Sequence, residues 1–83
     1  METERENRNV PIVQERLISF RMFKRITQEE MAQVIGVDLR TYINKEKGIS
    51  QFKLNEAFAI AVKLEMNLDE IFINPNFIKH EVS

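Results

Sequence analysis

The chain has 83 residues, 12 Lys/Arg against 13 Asp/Glu, a net charge of −1 and 43% hydrophobic side chains, as expected of one small domain. With no cysteine it has neither a disulfide framework nor a thiolate metal site, and a reducing, cytoplasmic setting is expected. No run of about 18 apolar residues occurs, the start METERENRNV is too polar for a leader peptide, and the near-neutral charge argues against coating nucleic acid by bulk electrostatics.

Residues 1–10 are charged and without periodicity, as in a mobile arm. Three glutamates against two arginines there would be repelled by phosphate, so disorder is favoured over wrapping DNA. A domain is expected over residues 11–73. Pro11 suits a first helical turn, where its missing N–H costs nothing. From Ile12 to about Lys24, Val13, Leu17, Phe20 and Phe23 supply an apolar stripe, and Ile26 plugs the junction that follows. Met22 and Met31 read as core filler.

Thr27 and Glu30 have the spacing of a capping box, so a second helix starts at Gln28. Met31, Val34 and Ile35 form its apolar face, Ala32 leaves room for a close neighbour, and Gly36 ends it with a positive φ. Asp38 caps a third helix, running from about Leu39 to Lys47. Counted from Gln28, a small residue falls fifth, glycine ninth, and apolar residues fourth, eighth, tenth and fifteenth. That is helix-turn-helix spacing, and the features are specific only in combination.

Leu54, Ala57, Phe58, Ala61 and Leu64 then repeat at helical spacing, with Ala59 and Ile60 widening the stripe. Asn67 and Glu70 cap a short last helix containing Leu68, Ile71 and Phe72. The tail 74–83 opens on the turn signal Asn74-Pro75-Asn76. Its apolar residues Phe77, Ile78 and Val82, with Ile73 before it, either fold back onto the domain or meet a second copy. Residues 16–48 carry a local charge of +3, against −2 on either side, so the positive excess lies on the helix-turn-helix half.

These residues resemble the Cro/C1-repressor (XRE-like) helix-turn-helix regulators. The likeness covers Leu17 to Phe72 and rests on Arg21, the TQEEMA run, Gly36-Val37, the E-x-G at Glu46 to Gly48 and the closing LDEIF. The ending IFINPNF is similar to that of small regulators on phages and mobile elements. The resemblance implies an all-α, compact five-helix, lambda-repressor-like DNA-binding domain with the motif at helices 2 and 3. It also implies that Arg21 pairs with Glu46 inside the fold, where each charge offsets the burial cost of the other. The chain departs from the family's usual apolar residues at Tyr42 and Lys45. A buried tyrosine needs a partner for its hydroxyl, and the lysine is expected to lay its stem on apolar surface with the ammonium in solvent. A third departure, Phe52 where proline is common, is expected to pack on the core.

If the third helix enters a major groove, Leu39, Arg40, Ile43 and Asn44 face outward. Arg40 has the donors for guanine O6 and N7, Asn44 pairs with adenine, and Leu39 and Ile43 suit thymine methyls. Gln28 resembles the family's phosphate-binding glutamine, and Thr41 and Lys47 are further phosphate candidates. The expected function is a sequence-specific double-stranded-DNA-binding transcriptional regulator, a repressor, acting as a homodimer on paired half-sites, with helix five and the tail from Ile73 as the contact. The alternative is a protein-binding regulator, antitoxin-like or an antirepressor, docking through Leu39 and Ile43. An enzyme is not expected: His80 is the only histidine, and Ser19, Ser50 and Ser83 lack a partner base. Neither a metal, a cofactor, a small-molecule ligand nor a membrane partner is expected.

Overall fold

In a computed structural model the described residues are 12–72, and they form five α-helices without a strand. These are α1 (Glu15–Phe23), α2 (Gln28–Ile35), α3 (Leu39–Glu46), α4 (Leu54–Leu64) and α5 (Leu68–Phe72). The five-helix, all-α architecture expected from the sequence is the one observed. The arm 1–10, Pro11, Ile73 and the tail 74–83 lie outside the described residues.

The starts and stops of α2 and α3 follow from local chemistry. Thr27 Oγ1 accepts from the Glu30 N–H at 3.0 Å while the Glu30 carboxylate accepts from the Thr27 N–H at 2.8 Å, closing the capping box. That backbone hydrogen bond from Thr27 is the main cause holding the Glu30 carboxyl below its ordinary value. Gly36 terminates α2 at φ +77°, a left-handed conformation that a side chain would strain. Asp38 Oδ1 then accepts from the Thr41 N–H at 2.9 Å and caps α3. The helix pair is thus locked by its own short-range hydrogen bonds before any packing is considered.

The core is Leu17, Met31, Ala32, Tyr42, Ile60, Ala61, Leu64 and Ile71, with half-buried Phe20, Ile26, Ile35, Val37, Phe52 and Phe72 packed around it. α2 packs against both α3 and α4, α5 against α1 and α4, and α1 also touches α3. Phe52 stands edge-on between the rings of Tyr42 and Phe72, at centroid distances of 5.9 and 5.5 Å. Ala32 is 2% exposed, a close-packed site on α2 as its small size requires.

Four expectations need correction. α1 starts at Glu15, and Ile12 to Gln14 run ahead of it without helical structure. The Gln14 N–H donates to the Glu46 carbonyl at 2.9 Å, which holds this lead-in across the end of α3. On α1 itself the buried side chains are Leu17 and, one turn on, Arg21, while Phe23, like Val13 ahead of the helix, faces solvent. Met31 is fully buried, but Met22 is exposed. On α4 the buried face is Glu56, Ala57, Ile60, Ala61 and Leu64, and Leu54, Phe58 and Val62 form a separate exposed stripe. Both α4 faces are apolar, so periodicity alone did not choose between them.

Candidate nucleic-acid interface

Residues of α3 divide by helical phase. Tyr42, Lys45 and Glu46 are buried, and at 100° per residue the direction opposite them is occupied by Arg40, Asn44 and Lys47. Arg40 and Lys47 are exposed and Asn44 is half-buried, because the chain after α3 turns back to donate the Ile49 N–H to the Asn44 carbonyl at 2.9 Å. Leu39, 41% exposed, and half-buried Ile43 flank this ridge on one side. Half-buried Thr41 flanks it on the other. Arg40 and Asn44 therefore project together, one turn apart, from a surface ridge.

The buried side is held by polar contacts. The Glu46 carboxylate, 2% exposed, accepts from four donors: Arg21 Nε at 2.7 Å and Nη2 at 3.3 Å, Tyr42 OH at 2.7 Å and Gln28 Nε2 at 2.9 Å. Arg21 also donates to the Ile26 carbonyl at 3.0 Å, so α1, the α1–α2 junction, α2 and α3 all meet at one carboxylate. Burial, with the Glu46 charge beside it, pushes the Tyr42 hydroxyl far above its ordinary pKa, so it stays a donor.

Lys45 differs from expectation. Its ammonium is not in solvent: Nζ lies 3.1 Å from Glu56 Oε1, donates to the Gln51 carbonyl at 2.9 Å, and sits 5.8 Å from the Phe52 ring centroid. Both side chains are 8% exposed. A lysine at a core register and a glutamate on the buried face of α4 were the two signals available, and each is the other's solution. Burial raises the Glu56 carboxyl, but the Lys53 N–H and Lys45 outweigh it, so its pKa lies below the ordinary value.

Gln28 also differs. Its side chain, expected to aim at a phosphate, spends one amide N–H on Glu46. Since an amide nitrogen carries two hydrogens, one remains available at the start of α2. The positive excess of residues 16–48 shrinks at the surface, because Arg21 and Lys45 are paired internally. Arg16, Lys24, Arg25, Arg40 and Lys47 remain exposed, against Glu29, Glu30 and Asp38. Among the described residues, no group of His, Cys, Asp and Glu could hold a metal ion, and no helix is long and apolar enough to cross a membrane.

No family model matches the chain, and no curated protein sequence does. Among solved structures it is similar to the restriction-modification controller protein C.AhdI from Aeromonas hydrophila, at 28% identity and a TM-score of 0.62. That likeness covers 70% of this chain and 84% of the other. Capped α2, left-handed Gly36, capped α3 and the Arg21–Glu46 pair reproduce the helix-turn-helix motif in three dimensions, and with this neighbour they support the resemblance to the Cro/C1-type (XRE-like) regulators.

Proposed function

We propose that this protein is a sequence-specific double-stranded-DNA-binding transcriptional regulator, a repressor, which inserts α3 into the major groove. The observation that carries this reading is the solvent ridge of Arg40, Asn44 and Lys47, backed by a polar anchor on the opposite side of the same helix. Arg40 and Asn44 have the paired donors and acceptor that base edges require, and Lys47 suits a phosphate. Thr41 and the start of α2 at Gln28 add backbone contacts. The similarity to a restriction-modification controller protein supports the same class. We assign the protein to the cytoplasm, where its DNA would be, and give it no catalytic role.

A single module reads few base pairs, so the active form is a homodimer on half-sites about one helical turn, roughly 34 Å, apart. The surface for it is better sought on α4 than on α5. Ile71 is buried and Leu68 and Phe72 are packed against the core, whereas Leu54, Phe58 and Val62 are 67%, 53% and 77% exposed. Phe58 is midway between the other two. Two antiparallel copies of α4 would set it on its own counterpart and Leu54 against Val62, the self-complementarity that a two-fold contact needs.

The exposure of Leu39 favours one other reading, a regulator that docks a protein through Leu39 and Ile43. Selection of bound duplexes from random DNA separates the two. DNA reading predicts a recovered palindrome, with Arg40→Ala and Asn44→Ala each costing about 1–3 kcal/mol and relaxing one base pair, while Lys47→Ala weakens all sequences alike. No retained duplex at any salt concentration would reject it.

A further inference from the structure

The geometry points to Glu46 as a positioning residue for Gln28, holding its side chain ready for a DNA backbone phosphate; this rests on the DNA-binding function proposed above. Glu46 belongs to the far end of α3 and Gln28 to the first turn of α2, yet Glu46 Oε1 receives the Gln28 amide at 2.9 Å. The carboxylate is 2% exposed and cannot wander, because Arg21 Nε and Tyr42 OH both hold its other oxygen at 2.7 Å. An immobile acceptor fixes the plane of the glutamine amide. One N–H is consumed, and the second is left at the first residue of α2, beside the Gln28 and Glu29 backbone N–H groups, which the capping box does not occupy.

An untethered glutamine on a helix surface would sample several rotamers and lose that freedom on meeting a phosphate. Here much of that ordering is complete before binding, so the contact gains from preorganisation. A hydrogen bond to a carboxylate also polarises the amide and makes the remaining N–H a better donor. The Arg21–Glu46 pair accordingly acts on the DNA contact through Gln28, besides joining α1 to α3.

A double-mutant cycle tests this. Gln28→Ala in the unaltered background should weaken binding to the selected duplex about tenfold without lowering Tm to match, and equally across sequences. In an Arg21→Met/Glu46→Met background, where packed apolar side chains replace the ion pair, binding should already be several-fold weaker. There, Gln28→Ala should cost less than about twofold. Equal costs in the two backgrounds overturn the inference and leave the function standing. Failure of the unaltered protein to bind any duplex overturns both.

The amide of Gln28 gives a second reading that needs no altered core. In NMR spectra of the unaltered protein its two side-chain protons should be widely separated and slow to exchange, and duplex should move the solvent-side proton more than its partner. Averaged, rapidly exchanging signals like those of a free glutamine side chain would overturn the inference.

Discussion

Gly48→Ala tests how the lead-in to α1 is held against the end of α3. Gly48 has φ +83°, and a Cβ built there would collide with the backbone nitrogen and carbonyl of Ile12. No side chain can swing away to relieve it. Gly36 has nearly the same conformation, φ +77°, but no atom within 4 Å of the added carbon. Gly36→Ala therefore carries only the left-handed backbone cost, about 1–2 kcal/mol. Gly48→Ala carries that and the displacement of Ile12, which pulls the Gln14 N–H from the Glu46 carbonyl, now at 2.9 Å, for about 1 kcal/mol more. A total of about 2–3 kcal/mol follows, before any residual overlap is counted. At roughly 4–8 °C per kcal/mol for a domain of this size, Gly48→Ala should melt at least about 4 °C below Gly36→Ala, read by circular dichroism. Equal melting temperatures would refute the claim that Ile12 crosses Gly48 in solution.

Three further outcomes follow from the polar contacts. Asp38 is held below its ordinary pKa of 3.8 by Thr41; its contribution is present above that value and is lost as pH falls through the lower folded one. Asp38→Asn, which keeps the oxygen acceptor, should weaken that part of the acid unfolding curve in proportion. Tyr42 is the only tyrosine and its pKa is raised by burial, so its stabilisation is complete below about pH 10 and declines above it as the unfolded chain ionises. Tyrosinate absorbance should then rise only together with loss of helical signal, and ionisation of folded protein near pH 10 would contradict the buried hydroxyl. Lys45→Met alone should destabilise by about 3 kcal/mol, since it strands a buried Glu56. The double change Lys45→Met/Glu56→Met should restore most or all of that loss in urea denaturation.

The parts legible in the sequence are those decided within four residues. Thr27 with Glu30, Asp38 with the Thr41 N–H, and Gly36 each complete their chemistry locally, so the helix-turn-helix and its boundaries could be read directly. The faces of α1 and α4 could not. Arg21 takes a core register next to Leu17 because its partner is on α3, which leaves Phe23 outside. On α4, residues 54, 58 and 62 are as apolar as the face that is buried, and only tertiary packing discriminates. On α3 the exposure of Leu39 and Arg40 was recognisable from the phase of Tyr42, Lys45 and Glu46, whereas Ile43 and Asn44, expected beside them, are half-buried. What stayed hidden was the hydrogen bonding behind it: the destination of the Gln28 amide and of the Lys45 ammonium depends on elements distant along the chain.

Those hidden contacts explain why a helix as short as α3 carries charges on its buried side at all. Apolar residues of similar volume would serve stability as well or better, because desolvating two ions takes back most of what their attraction returns. An apolar contact, however, tolerates sliding, whereas a carboxylate with four donors does not. Glu46 fixes α3 to α1 and α2, and Lys45 fixes it to α4 through Glu56 and to the intervening loop through the Gln51 carbonyl. The two anchors engage different neighbours, so together they restrain the helix against both rolling and tilting. A ridge proposed to present Arg40 and Asn44 to base edges in register needs that restraint more than it needs additional stability. On this argument the double Lys45→Met/Glu56→Met protein keeps its fold and its general affinity for DNA while losing discrimination at the base pairs that Arg40 and Asn44 are proposed to read.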